Sequence, residues 1–271
     1  MGIFVYKGKT KQIRNMNNRF DELAKNSFSL QGLRGVVTGG SSGIGRAIAI
    51  MLAEAGATIF VFSRTGEFKE DEEEIENLNH VKINITDELV LRQKVEEIGV
   101  QGLDLVINNA GITFREKMVD LQMENWNQVQ EVNVNAAMNL SRFAFKYLTK
   151  SKSIGRIVNI CSMAAYLGIN DVVPYTVSKT ALLGLTRGLS VEWANENILV
   201  NSVSPGWIKT NMVKQVLDAD RERKILNKMP LHKYGTPEDI ASMVWFLVSP
   251  ASKYITGQDF PVDGGALAFC Y

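Results

Sequence analysis

The stretch "TGGSSGIG" (38–45) lies between the apolar run LRGVVT (33–38) and the helical pattern "RAIAIMLAEAG", and it constrains the fold more than any other segment. Gly39, Gly43 and Gly45 allow the backbone to turn sharply out of a strand and into a helix. Such a turn brings main-chain N–H groups close to a ligand, and the positive end of the helix that follows favours an anion such as a pyrophosphate. Ser41, Ser42 and Ile44 complete this candidate phosphate cradle. The order Gly-x-x-x-Gly-x-Gly differs from the Gly-x-Gly-x-x-Gly dinucleotide fingerprint, so the turn alone is also compatible with a generic strand-to-helix connection. Its place directly after the first strand favours the ligand-binding reading.

From about residue 30 short apolar runs alternate with longer amphipathic ones, as repeated βαβ units require. Strands are expected at 33–38, 58–62, 81–84, 103–108, 156–160, 198–203 and 258–262, and helices at 43–55, 67–78, 87–98, 122–148, 175–195, 208–227 and 237–248. Val, Ile and Leu dominate the strands, as in parallel sheets covered on both faces. No repeat, low-complexity linker or Pro-rich hinge divides the chain. The expected architecture is α/β: a single doubly wound Rossmann domain over 30–271, with a seven-stranded parallel sheet and helices on both faces. Ligands then belong at the carboxyl ends of the strands.

Composition removes several function classes. Lys plus Arg number 30 against 29 acids, so no net charge draws the molecule to nucleic acid or membrane. No apolar stretch approaches the roughly 18 residues that span a bilayer. Cys161 and Cys270 cannot form a disulfide framework, and free thiols favour a cytoplasmic location. Residues 1–29 form a basic N-terminal extension. Its first 20 residues hold Lys7, Lys9, Lys11, Arg14 and Arg19 and no acid, but lack the apolar segment of a secretory signal. A transit peptide or anion-binding arm is one reading of it, and a flexible or partner-packed extension the other. The acidic run "EFKEDEEEIEN" reads as the solvated face of a short helix. His80 and His232 are the only histidines, so zinc ligands are scarce and no metal is expected. No G-x-S-x-G elbow suggests a serine hydrolase.

The second strand ends in "FVFSRT", placing Ser63 and Arg64 where an acid would hold the adenosine ribose of NAD. A hydroxyl beside a planar guanidinium suits the extra phosphate instead, so NADP(H) is favoured over NAD(H). In "YTVSK", Tyr175 and Lys179 stand one helical turn apart on one face. A nearby cation stabilises a phenolate, and lowering its pKa by about 3 units takes about 4 kcal/mol. The lysine would contribute part of this, and the positive nicotinamide ring another part. A phenol so tuned can exchange a proton with a hydroxyl or carbonyl oxygen. Taken alone, the pair reads as well as a boundary tyrosine beside a solvated lysine.

Other segments shift that balance. "GRIVNICS" ends at Ser162, thirteen residues before Tyr175. "NNAG" (108–111) ends another strand and offers Asn109, Ala110 and Gly111 to a flat cofactor. "PGWIKT" (205–210) follows a third, with Pro205, Gly206, Ile208 and Thr210, whose hydroxyl suits a nicotinamide amide. All emerge at one edge of the sheet. With "WNQVQEVNVN" and "ITGQDFPVDGG", this ordered set resembles the short-chain dehydrogenase/reductase family from about Leu30 to Gly265. The resemblance implies a homotetramer or homodimer pairing helices 122–148 and 175–195, and an oxidoreductase acting on a small carbonyl or alcohol substrate. It makes Tyr175 the general acid/base and Lys179 the ribose ligand that lowers the phenol's pKa. Ser162 would orient the substrate oxygen, and Asn133 would hold a proton-relay water. Asn84, next to Ile85, stands where the family usually has an aspartate for the adenine amine, a bond its carbonyl can still accept.

Substrate choice is expected from 114–118, 163–173 and 207–234, the last as a lid between strand and helix. Arg115, close after the "NNAG" turn, is a candidate clamp for a substrate carboxylate, or else a solvated loop arginine. "NICSMAAYLG", Arg115 and "VDGGALAF" look most similar to gluconate 5-dehydrogenase and 2-deoxy-gluconate 3-dehydrogenase types, so a sugar acid is the expected substrate. A 3-oxoacyl-thioester reductase is the alternative, and a nucleotide-binding redox sensor without turnover a third reading.

Overall fold

The computed structural model describes residues 22–23, 25–66, 75–210 and 219–269. Seven strands, β1 (Arg34–Thr38), β2 (Thr58–Ser63), β3 (Leu78–Lys82), β4 (Leu105–Asn108), β5 (Gly155–Ile160), β6 (Ile198–Pro205) and β7 (Asp259–Val262), form one sheet in the order 3-2-1-4-5-6-7. Every pairing is parallel. The chain winds from β1 outward through β2 to β3, then crosses back to β4 on the other side of β1. That reversal opens a crevice beyond the ends of β1 and β4, which is where such sheets bind ligands.

Helices α1 (Gly43–Glu54), α2 (Glu88–Gly99), α3 (Met123–Gln130), α4 (Ala136–Leu148), α5 (Val173–Glu192), α6 (Ala219–Asn227) and α7 (Pro237–Val248) follow the strands. Consecutive strand residues point to opposite faces, and the two cores divide accordingly. Val37, Ile107 and Val158 pack with Ile48 and Leu52 of α1 and Ile240 and Val244 of α7. Their neighbours Val36, Val106 and Ile157 pack with Leu91 and Val95 of α2 and Leu140 and Ala144 of α4. Apolar side chains at both alternating positions are thus what a sheet covered on two sides requires. α7 starts on a capping box in which Thr236 accepts from Asp239 N and the Asp239 carboxylate accepts from Thr236 N, with Pro237 at the first helical position.

Four expected elements differ. β3 covers Leu78–Lys82 rather than 81–84, because it is an edge strand set by pairing with β2 (Ile59↔Leu78, Ser63↔Lys82) and carries the exposed Asn79 and His80. The helix expected at 67–78 lies outside the described residues over 67–74, and its end is contradicted by a turn with Asn77 at φ 66 leading into β3. The helix expected at 208–227 does not begin at Ile208. That residue bridges Gly235, Lys209 N donates to Gly235 O and Gly235 N donates to Trp207 O, closing the neck of the 207–235 segment. Residues 211–218 are outside the described set. The long helix expected at 122–148 is interrupted by a π-helical turn, Glu131–Asn135, a distortion often found at functional sites.

Candidate active site

The ends of β1 and β4 are sewn together by side chains. Thr38 Oγ1 accepts from Asn109 N (3.0 Å) and Ala110 N (3.0 Å), and Asn109 Nδ2 donates to Thr38 O (2.9 Å) and Gly39 O (3.2 Å). These bonds leave little room beside the glycine turn. A Cβ on Gly39, whose φ is 66, would lie 2.9 Å from Ala110 Cα, and one on Gly45 would overlap Asn109 Nδ2 and Gly39 O. Below the turn, Asn108 Nδ2 donates to Asn159 Oδ1 (2.8 Å), and Asn159 Nδ2 donates to Thr186 Oγ1 (2.8 Å), tying β4, β5 and α5.

A cleft of about 910 Å³ runs along this edge of the sheet. Gly39, Ser41, Ser42, Gly43, Ile44 and Gly45 line one end with Ser63, Arg64, Asn84 and Ile85. Asn109, Ala110 and Gly111 line it after β4, Ser162 after β5 and Pro205, Gly206, Ile208 and Thr210 at and after the end of β6, with Tyr175 and Lys179 of α5. A Cβ on Gly43 would meet Thr210 Cγ2 at 3.4 Å, so this part of the cleft is narrow. A glycine cradle at one end, a guanidinium and hydroxyl at the next strand end, and a phenol with an ammonium elsewhere on the wall suit an elongated dinucleotide.

Ser162 caps a short 3-10 turn, Met163–Ala165, and its Oγ accepts from Ala164 N at 3.1 Å, leaving its proton to donate elsewhere. Lys179 is 3% exposed and its Nζ donates to Ile160 O at 2.7 Å. The Nζ lies 5.6 Å from the Tyr175 ring centroid. Burial pushes this ammonium down to about 8. The expected depression of the Tyr175 pKa is not what the protein's own groups produce. Burial raises it, the nearby Ser162 hydroxyl pulls it back, and Cys161 raises it further. The physical reason is desolvation: burial opposes the charged phenolate more strongly than the Ser162 hydroxyl favours it, and Lys179 is not among the groups that shift it.

Two expected residues lie apart from the cleft wall. Asn133, in the π-helical turn and 1% exposed, accepts from Ile112 N (2.8 Å) and donates to Ile112 O (3.0 Å) and Ser178 Oγ (2.9 Å). Its carboxamide thus locks the strand end after Gly111 to α5. Arg115 donates through Nε and Nη2 to Asp171 Oδ2, each at 3.3 Å. Asn84 also differs in detail, since its Oδ1 already accepts from Thr86 N (3.3 Å) and Thr86 Oγ1 (3.0 Å). Sequence reasoning missed Thr38, and also Asn127, Gln128 and Glu131 on the cleft wall. The last three share one helical face, a 3.6-residue spacing legible in "WNQVQE". Among the described residues no cluster of three or more His, Cys, Asp or Glu is placed to hold a metal ion, and no helix is long and apolar enough to cross a membrane.

A nucleotide-binding cleft with a phenol, an ammonium and a serine at one rim of a doubly wound sheet defines an oxidoreductase of Rossmann type. A family profile described as "Enoyl-(Acyl carrier protein) reductase" matches residues 39–266. A 2-dehydro-3-deoxy-D-gluconate 5-dehydrogenase of Dickeya dadantii is 36% identical over 252 residues, covering 90% of this chain and 98% of the relative. A 3-oxoacyl-(acyl-carrier-protein) reductase of Aquifex aeolicus is 38% identical over 246 residues, 88% of this chain and 98% of that one. The crystal structure of a gluconate 5-dehydrogenase from Burkholderia cenocepacia, in complex with NADP and tartrate, superposes with a TM-score of 0.83 at 28% identity, covering 90% of this chain and 99% of that one. The chain belongs to the short-chain dehydrogenase/reductase family.

Proposed function

We propose that this protein transfers a hydride reversibly between NADP(H) and the carbinol carbon of a small sugar acid of the gluconate or deoxygluconate type. The convergence of Ser162, Tyr175 and Lys179 with the glycine cradle and Arg64 on one cleft carries this reading. When bound, the nicotinamide gives or takes the hydride. Tyr175 Oη exchanges the proton at the substrate oxygen, and Ser162 donates a hydrogen bond that orients that oxygen. Lys179 holds the nicotinamide ribose, and a positive charge brought by the oxidised cofactor supplies the phenolate stabilisation that the lysine alone does not. Asn133 acts from behind, keeping Ile112 and α5 in register. Ser63 and Arg64 take the adenosine phosphate, so NADP(H) is preferred. Asn84 meets the adenine with its amide donor turned outward, its oxygen being engaged by Thr86. Arg115 clamps the substrate carboxylate.

The same reading places cofactor and substrate in one domain over 30–271, in a cytoplasmic homotetramer or homodimer. A 3-oxoacyl-thioester reductase is the second reading, supported by the Aquifex relative at similar identity. Initial rates with NADPH and NADH against 5-dehydrogluconate and an acetoacetyl thioester separate the two. Faster turnover of the sugar acid with NADPH is expected. Preference for the thioester would reverse the assignment, and silence with both, despite tight NADPH binding, would favour a sensor without turnover.

A further inference from the structure

Two loops adjoin the catalytic end of the cleft. Residues 112–122 start from Ile112 on the cleft wall, and residues 166–172 run from the Ser162 turn to the start of α5, two residues before Tyr175. Among the described residues, every hydrogen bond between these loops falls on Asp171. Its backbone carbonyl accepts from Glu116 N at 2.8 Å, and its Oδ2 accepts from both Arg115 Nε and Nη2 at 3.3 Å. The residue sits at φ 64, a left-handed conformation uncommon outside glycine but tolerated by Asp and Asn. Its side chain is 25% exposed and that of Arg115 45%.

This ion pair is poorly matched. Two guanidinium nitrogens share one oxygen at long range, whereas a well-seated carboxylate offers both oxygens in parallel and closer. An arginine held this way is oriented but exchangeable. We propose that Asp171 is a specificity-determining residue: its carboxylate is a resident competitor for Arg115, which a substrate carboxylate must displace and a neutral substrate need not. The proposal rests on the reading that Arg115 clamps a substrate carboxylate.

Calorimetric titration of the NADPH-loaded protein with D-gluconate and with D-gluconamide tests it, since no turnover occurs with a reduced cofactor and a reduced ligand. Asp171→Asn keeps the left-handed backbone and the carbonyl that holds Glu116 while removing the charge. It should tighten gluconate by about two- to fivefold, the range of a partly exposed ion pair, and leave gluconamide unchanged. If gluconate affinity stays the same, or both ligands shift alike, Asp171 does not compete and the proposal is overturned, even with the clamp intact. Arg115→Ala isolates the underlying reading. It should bring gluconate down to the affinity of gluconamide, and a preference for gluconate that survives it would remove the clamp and the proposal together.

Discussion

Tyr175 and Lys179 occupy one face of α5, and their environment sets opposite costs on their charged forms. A lysine free in solution titrates near 10.5, while burial brings Lys179 to about 8. Between those values the unfolded chain binds a proton that the folded chain has shed, so stability rises with pH across this window and is lost as pH falls through 8. The two endpoints place the full effect at about 3 kcal/mol as an upper estimate. Urea unfolding of the nucleotide-free protein from pH 7 to 9.5, compared with Lys179→Met, should show that rising component only with lysine present. A flat difference would mean the ammonium is better solvated than its 3% exposure indicates. The phenol acts in the opposite sense: its raised pKa contributes stability below about 10 that fades as pH climbs higher. For the proposed chemistry, Tyr175→Phe should lower kcat by about 10²- to 10⁴-fold, the usual worth of a general acid/base, while NADPH affinity changes little. Steady-state rates paired with a fluorescence titration of NADPH check both halves. Substantial residual turnover would remove Tyr175 from the proton transfer.

Among the elements, the strand-to-helix turn before α1 carries the tightest steric demand. Gly45→Ala would push a methyl group into Asn109 Nδ2 and Gly39 O, groups already joined to each other and to Thr38. Because one collision is with backbone, relief must move the β1–β4 junction itself. We expect a lower Tm and a loss of NADPH affinity of at least about tenfold, near 1.4 kcal/mol, readable by thermal unfolding and fluorescence titration. Unchanged affinity would show that the cradle tolerates widening. The π-helical turn between α3 and α4 is a second such element, because it sets Asn133 where its carboxamide meets both backbone groups of Ile112 and the Ser178 hydroxyl. "WNQVQEVNVN" shows a helix and a candidate asparagine, but the inserted turn comes from what packs around it.

For the whole molecule, the outer face of α5 is the feature a single chain leaves unexplained. Val177 is 40% exposed and Val191 80%, and a Cβ on Gly184 or Gly188 would meet nothing within 4 Å. In the proposed assembly this smooth face seats a second copy. Gly188→Arg should therefore split the oligomer, seen as a drop in mass by sedimentation velocity, without unfolding the subunit. A monomeric wild-type protein would discard the assembly.

How much was legible follows from the range of the interactions involved. Alternating apolar strands, the glycine turn, Arg64 after β2 and the Tyr175–Lys179 spacing are local patterns, because strand burial, sharp turns and helical faces each have a short period. From them the chain's order of elements, its two-sided parallel sheet and most of the residues along the cleft could be read directly. Contacts between distant segments could not. β3 begins three residues and ends two residues earlier than expected because pairing with β2, rather than its own hydrophobicity, chose its register. Arg115 found Asp171, 56 positions away, and Thr38 found Asn109 and Ala110 across the sheet. The pKa of Tyr175 moved upward instead of down, since desolvation depends on everything packed around a group and not on its neighbour one turn away. Local chemistry therefore pointed to most of the residues that line the cleft, and only tertiary packing decided which others join them and how each is held and partnered.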